Sequence, residues 1–254
     1  MKCILGILCL LAWRAATAAP ATDTDYISTD EFAKCSTEDD HVGDCIKDII
    51  NGLIPRLQNG NPKLKIPPYE PFLLNRTSFR YESGAVKGRI SVRNVKIYGF
   101  GLYRAKEVSL KIKGDKIKLR LVGEMPKMNI LGNYKADMQV NQLQLKPKGD
   151  FNVTLFDVEI TTGTEGEIYR KDGKRFVRLD EIDSTPKIGD LTIKANGIFP
   201  DPELDQIALN VANQYWRDIY GIILPETRQY WQPLILRMLN ESLQQIPIDQ
   251  FLKE

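Results

Sequence analysis

The feature that most limits what this chain can fold into is a change of hydrophobic period. From about Phe79 to Ala195, β-branched and aromatic residues alternate with Lys, Arg, Asp and Thr, the two-residue period of half-buried strands. From Leu204 onward the apolar residues step by threes and fours. A chain that is strand for so long and then turns helical is predicted to be α+β, with helices laid against an antiparallel sheet.

The strand region carries its own punctuation. Val108, Leu110 and Ile112 alternate with Ser109, Lys111 and Lys113, and the pattern resumes after Gly114-Asp115 as Ile117, Leu119 and Leu121, which predicts a hairpin. Asp172-Gly173 predicts a second, while Gly132-Asn133 and Lys148-Gly149 are weaker turn signals. The phase slips twice: Ile90 and Val92 against Val95 and Ile97, and Phe151, Val153 and Leu155 against Phe156, Val158 and Ile160. A slip inside a continuous apolar pattern predicts a bulge or sharp bend, or more plainly a short loop. Read as bulges, the slips predict a sheet that curls.

Helices flank the strands. Val42, Ile46, Ile49, Ile50, Leu53, Ile54 and Leu57 predict a helix over about 38–57, capped by Ser36 or Thr37 and stopped by Asn59-Gly60-Asn61-Pro62. Ile66 to Phe72 is a proline-stiffened connector. After the strands, Pro200-Asp201-Pro202 opens an amphipathic helix carrying Leu204, Ile207, Val211, Tyr215, Trp216, Ile219 and Ile223. Pro225 is predicted to break it, and Trp231, Leu234, Met238, Leu239 and Leu243 mark a second helix ending at Pro247. Twenty helical residues span about 30 Å, enough to lie along a whole curved sheet, and a concave sheet with helices inside it is expected to be one domain.

The first residues set the compartment. Met1-Lys2, the apolar run Cys3 to Trp13 and Ala16-Thr17-Ala18 predict a signal peptide over 1–18 and a mature domain over 19–254, secreted and without an integral membrane segment after cleavage. Removing Lys2 and Arg14 from 35 Lys+Arg leaves 33 against 33 Asp+Glu. A neutral chain without Arg-rich runs is not expected to bind nucleic acid. Only Cys35 and Cys45 then remain, and in an oxidising compartment they are predicted to form a disulfide worth about 2 to 3 kcal/mol. A metal site on Cys35, His41 and Cys45 lacks a fourth ligand. Asn75, Asn152 and Asn240 each begin an N-glycosylation sequon, with Asn75 the best placed and Asn240 inside a periodic helix.

Catalytic apparatus is nearly absent. His41 is the one histidine, no free thiol survives cleavage and disulfide formation, and neither Gly-x-Ser-x-Gly nor His-Glu-x-x-His occurs. Asp180, Glu181 and Asp183 cluster beside Arg178 and Lys187 as a solvated turn would. No enzyme, no metal and no cofactor are expected. Met and aromatic side chains on the helices and strands suit either a packed core or an apolar ligand site.

The N-terminal leader, Cys35 with Cys45 ahead of a helix, Pro68-Tyr69-Glu70-Pro71-Phe72, the long strand region, and Asn213-Gln-Tyr-Trp216, Pro225 and Ile246-Pro247-Ile248 together resemble the takeout and juvenile-hormone-binding-protein family of insects. The resemblance implies a strongly curved antiparallel sheet wrapped around a long C-terminal helix, an internal hydrophobic tunnel for a small lipophilic ligand such as a fatty acid, a terpenoid or a juvenile-hormone-like molecule, and no catalysis. With no cysteine after Cys45, the chain looks like the takeout branch. Stripe geometry gives the expected tunnel lining as Leu53, Val92, Tyr98, Leu110, Leu119, Met128, Tyr134, Met138, Trp216, Ile219, Tyr220, Ile223, Trp231 and Met238. Tyr98, Tyr134, Tyr215 and Tyr220 are candidates to hydrogen-bond a ligand head group. A secreted signalling or interaction protein, with a packed interior or a structural lipid, is the other reading; its receptor or protein partner has no signature in the sequence.

Overall fold

The computed structural model describes residues 34–84 and 86–253, and the predicted signal peptide lies outside them. The elements are β1 (Cys35–Ser36), α1 (Val42–Leu57), β2 (Phe72–Ser83), β3 (Val86–Tyr98), β4 (Arg104–Lys113), β5 (Lys116–Val140), β6 (Leu143–Leu145), β7 (Lys148–Lys171), β8 (Lys174–Ala195), α2 (Pro202–Gln214), α3 (Trp216–Leu243) and β9 (Leu252–Lys253). Asp201 caps α2, its carboxylate accepting from the Glu203 and Leu204 N–H groups. Ser36 and Thr37 do not cap α1, because Ser36 is already in β1; α1 instead follows His41 with no side-chain cap.

Both strong turn signals are hairpins. Gly114-Asp115 joins β4 to β5, and Asp172-Gly173 joins β7 to β8 with φ of 52° and 75°, the left-handed pair a tight two-residue turn requires. Gly132-Asn133 is not a turn. Gly132 runs on through β5, where a Cβ would stand 3.1 Å from Val95 and 3.2 Å from Phe151, so its smallness serves a close packing contact. Lys148-Gly149 likewise opens β7, and the chain reverses near Asn141 (φ 54°).

The phase slips are single left-handed residues. Asn94 (φ 51°) sits where the β3–β5 ladder shifts register between Arg93 and Lys96. Asp157 (φ 52°) stands with Pro126 between the pairs Met125–Val158 and Lys127–Phe156, and here the register holds. The slip rotates side chains without inserting a residue. Leu155 and Val158, three apart, thereby join Met125 and Met128 in one buried cluster, against which Ile97, Ile130, Val153, Ile188 and Leu191 pack.

The expectation of a strongly curved sheet wrapped around the helix and enclosing a tunnel is corrected by the topology. The order β2-β3-β5-β7-β8, with β4 and β6 both pairing with β5, is an open path whose edges, β2 and β8, do not pair. The slips turn faces over while leaving most of the ladder in register, so they do not roll the sheet shut. The helix lies against β8, and Ile222, Ile223, Ile235 and Leu239 stay exposed on it.

Asparagine carboxamides hold all three helices to strands. Asn51 of α1 donates to the Ala105 carbonyl (3.1 Å) and accepts from the Ala105 N–H (2.8 Å) on β4. Asn213 of α2 does the same to Ile193, and Asn240 of α3 to Leu179, both on β8. Between these two clamps, Arg217 donates to the Gly189 carbonyl and Tyr220 to that of Pro186. The fourteen residues of β8 between the clamped positions span about 46 Å, the twenty-seven of the helices about 40 Å. Helices and strand therefore run side by side in opposite senses, and the side chains satisfy the backbone groups an edge would leave bare.

The helix break also differs from expectation. It falls at Tyr215, and Pro225 and Pro233 lie inside α3. Each proline leaves the carbonyl four residues back, Gly221 or Gln229, without its helical donor. Gly221, Pro225, Gln229 and Pro233 are all exposed, so the residues that lose a helical hydrogen bond lie on the solvent side of α3, and the helix continues. Asp180, Glu181 and Asp183 are strand residues of β8 rather than a turn.

Candidate functional site

The N-terminal end of the described chain is built around one disulfide. Cys35 of β1 is bonded to Cys45 of α1, and β1 pairs in parallel with β9 at the other end of the sequence. Cys35, Ile49 and Leu252 are buried together, with Val42, Leu53, Leu110, Ile112, Ile248 and Phe251 packed around them. Gly43 lets α1 come close to β4, since a Cβ there would meet the Val108 carbonyl oxygen at 2.1 Å. The Tyr69-Glu70 segment fixes the other end of α1: the Tyr69 hydroxyl donates to the Ile54 carbonyl, and Glu70 accepts from the Gly99 and Gly101 N–H groups.

Beside this cluster is a depression of about 370 Å³ lined by Val42, Leu110, Ile112, Ile168, Ile248 and Leu252, with Thr37, Asp115, Arg170 and Arg175 as its polar residues. Its size suits a small-molecule site, and its lining is divided about evenly between polar and apolar surface. Arg175 is committed to Asp249, with Nη2 and Nε at 2.6 and 2.7 Å from Oδ1, and that pairing holds the Asp249 carboxyl below its ordinary range. Arg170 makes no ion pair among the described residues. A second, more open depression of about 440 Å³ is lined by Asn94, Asn133, Asp150, Asn152, Lys194 and Asn196 together with the apolar Leu131, Phe151 and Ala195.

A further apolar surface runs along the C-terminal helices. Leu204, Ile207, Val211, Tyr215 and Ile222 recur at helical spacing and are each about half exposed (48–57%). They lie across the helix from Asn213, which faces β8.

The residues expected to line a tunnel fall in separate places. Leu53 and Leu110 belong to the cluster at α1, with Leu119 opposite Leu110 on β5. Met128 is in the central cluster. Val92 and Tyr134 are cross-strand partners on β3 and β5, and Met138 stands opposite Gly88. Trp216 is buried and its ring meets Tyr220 edge-on at 6.5 Å, while Ile219, Trp231 and Met238 are half-buried and Ile223 is exposed on α3. Of the tyrosines, Tyr134 donates to the Asn196 carbonyl and Tyr220 to that of Pro186, and burial pushes the Tyr220 phenol up to about 12. Tyr98 and Tyr215 are exposed. Ile168 and Leu252, which help complete the depression at α1, carry no sequence signal that sets them apart from core residues; the β1–β9 pairing and the Arg175–Asp249 ion pair bring the C-terminus there.

The sequons differ in engagement. Asn75 is exposed on β2, Asn152 accepts from Asn129 at 2.6 Å, and Asn240 is clamped on Leu179.

Comparison with known proteins accords with this geometry. The chain matches the family described as haemolymph juvenile hormone binding protein over residues 8–253. It is 24% identical over 209 residues to the circadian clock-controlled protein daywake of Drosophila yakuba, covering 77% of this chain and 78% of that protein. Against daywake of Drosophila melanogaster the identity is 21% over 229 residues, covering 87% and 86%. The crystal structure of Takeout 1 from Epiphyas postvittana superposes with a TM-score of 0.73 at 17% identity, over 87% of this chain and 99% of that one, and so shares its fold. Among the described residues no cluster of His, Cys, Asp or Glu is able to hold a metal ion. No described helix is long and apolar enough to cross a membrane. The chain belongs to the haemolymph juvenile hormone binding protein family.

Proposed function

We propose that this protein is a secreted carrier that takes one small hydrophobic molecule out of water, the ligand's apolar body filling the depression beside α1. The observation that carries this reading is the convergence of α1, β4, β7 and the C-terminal segment on about 370 Å³ of space, to whose wall Val42, Leu110, Ile112, Ile168, Ile248 and Leu252 contribute apolar side chains. Affinity would come chiefly from buried area, at about 25 cal/mol per Å² before ordering costs. Arg170 supplies one polar contact for an oxygen-bearing head group, which suits a fatty acid or an oxygenated terpenoid. Family membership, with the predicted signal peptide over 1–18, supports secretion into an extracellular fluid.

The exposed stripe from Leu204 to Ile222 favours a second location for the same ligand, along α2 and α3. Titration of delipidated protein with a fluorescent long-chain fatty acid separates the two. Filling the depression with Ile112→Trp is expected to weaken binding at least about tenfold, with Val211→Asp close to wild type. The reverse pattern moves the ligand to the helices. No saturable binding overturns the carrier reading and leaves a signalling or interaction protein.

A further inference from the structure

Across β4, β5, β7 and β8 several exposed cations meet carboxylates on neighbouring strands: Lys106 with Glu124, Lys118 with Glu165, Arg120 with Glu107, Arg178 with Glu167 and Lys187 with Glu159. Like charges also face each other there, Lys135 against Lys148 and Lys171 against Lys174. Where β4 sets Lys111 and Lys113 opposite Lys118 and Lys116, the latter two are held by Glu165 and Glu167 of β7. Across β2 and β3 the register gathers two pairs of facing arginines on one face. Arg76 stands directly opposite Arg93, Arg80 opposite Arg89, and between these pairs Ser78 faces Ser91. All four arginines are exposed, and none forms an ion pair among the described residues. On β5, Lys135 adjoins Ser91 and Asn133 adjoins Arg93; Asp137, beside Arg89, accepts from Gln144, and Glu82 faces Lys87 at the end of the row.

Like charges directly opposite each other destabilise a strand pair. Protection of an edge strand accounts for charge on β2, but not for Arg89 and Arg93 set against it from β3. Facing arginines lie about 5 Å apart across the strands, and the two pairs about 13 Å apart along them. Guanidinium forks match oxyanions in bidentate fashion, and the two short serines leave the space between the pairs open. The row holds no aromatic side chain to stack a base and no apolar side chain between the arginines to enter a bilayer. Its length suits an extended polyanion rather than a single ion.

We propose that the outer face of β2 and β3 docks a sulfated polysaccharide chain, with Arg76, Arg93, Arg80 and Arg89 gripping its sulfate groups on either side of the Ser78–Ser91 pair. The inference stands apart from the ligand reading: it concerns where the protein is held, not what it carries.

The test titrates the full protein with fluorescent heparin between about 50 and 200 mM salt, beside neutral dextran and phosphatidylglycerol vesicles. Saturable heparin binding that weakens steeply with salt is expected. Arg80→Ser/Arg89→Ser, and separately Arg76→Ser/Arg93→Ser, each lose about tenfold or more. Lys111→Ser/Lys113→Ser, which removes the same charge from β4, stays within about twofold of wild type. The arginine variants melt at the wild-type temperature or up to about 4 °C higher, since repulsion is relieved. Equal losses in arginine and lysine variants, stronger binding to vesicles than to heparin, or no saturable binding at low salt overturns the proposal.

Discussion

The Asn240 clamp gives the sharpest test of how the C-terminal helix is held. Its carboxamide donates to the Leu179 carbonyl at 2.9 Å and accepts from the Leu179 N–H at 2.8 Å. Asn240→Ala removes both partners from one residue of an edge strand. At about 0.5 to 1.5 kcal/mol net for each hydrogen bond, the expected loss is about 1 to 3 kcal/mol. For a chain of this size that lowers the melting temperature by about 2 to 12 °C, read by circular dichroism. Asn213→Ala should cost a similar amount through Ile193. The two sites are about 40 Å apart along the helices, so the double variant should be additive within about 0.5 kcal/mol. The same geometry bears on glycosylation, because the nitrogen a glycan would occupy is the one donating to Leu179. Ser242→Ala, which abolishes the sequon and keeps the clamp, should leave the mass from a glycosylating host unchanged. Wild-type stability for Asn240→Ala within about 0.5 kcal/mol, or a glycan on Asn240 in the folded protein, would refute the clamp.

Pro225→Ala restores a donor to the Gly221 carbonyl, and denaturant unfolding should show a gain of about 1 to 3 kcal/mol. In acid, Asp249 is held low first by its hydrogen bond to Arg175, and Asp205 first by the Phe199 N–H with help from Gly197 and Ile198. A folded-state value below the unfolded one, about 3.9, means the stabilisation is present above that pH and lost as pH falls through the folded value. The urea midpoint should therefore be flat from about pH 7 to 5 and fall below about pH 4, less steeply in Asp249→Asn. In alkali, burial pushes the phenols of Tyr69, Tyr103 and Tyr220 up to about 12. Ultraviolet titration should show these three phenols ionising only toward about pH 12, above the ordinary phenol value of about 10, and stability should decline as pH rises from about 10 toward 12.

What was legible in the sequence was local. Alternation predicts the strands, and Gly114-Asp115 and Asp172-Gly173 predict the hairpins, because each depends on a few neighbouring residues. The phase slips at Asn94 and Asp157 were legible as positions, but not in their consequence. Whether a slip rolls a sheet depends on register between strands far apart in sequence, and at Asp157 the register does not change. Pro225 misleads for a related reason: its cost depends on whether the Gly221 carbonyl reaches water. Nothing in the sequence marks Asn51, Asn213 and Asn240 as clamps, since nothing local tells a carboxamide in water from one on a strand backbone. The separation of the tunnel-lining residues has the same origin, because a face of a strand is not yet a place in the fold.

An open sheet must protect both edges from pairing with another chain, and here the two are protected by unlike means. Along β8, side chains of α2 and α3 occupy the backbone hydrogen-bonding groups, which costs nothing in charge and adds stability. Along β2, arginines do the work, at the expense of facing arginines on β3. Stability and electrostatic docking are thereby assigned to opposite edges and should respond to separate perturbations. Asn240→Ala should lower the melting temperature and leave heparin affinity unchanged, while Arg76→Ser/Arg93→Ser should do the reverse. Helix α3, which lies along β8, also reaches β2, where the Tyr230 hydroxyl accepts from the Arg80 N–H at 3.5 Å and its ring lies 6.2 Å from that of Phe79. If polysaccharide binding does change the stability of α3, the coupling should pass through that contact, and Tyr230→Ala should abolish it while leaving the arginine row intact.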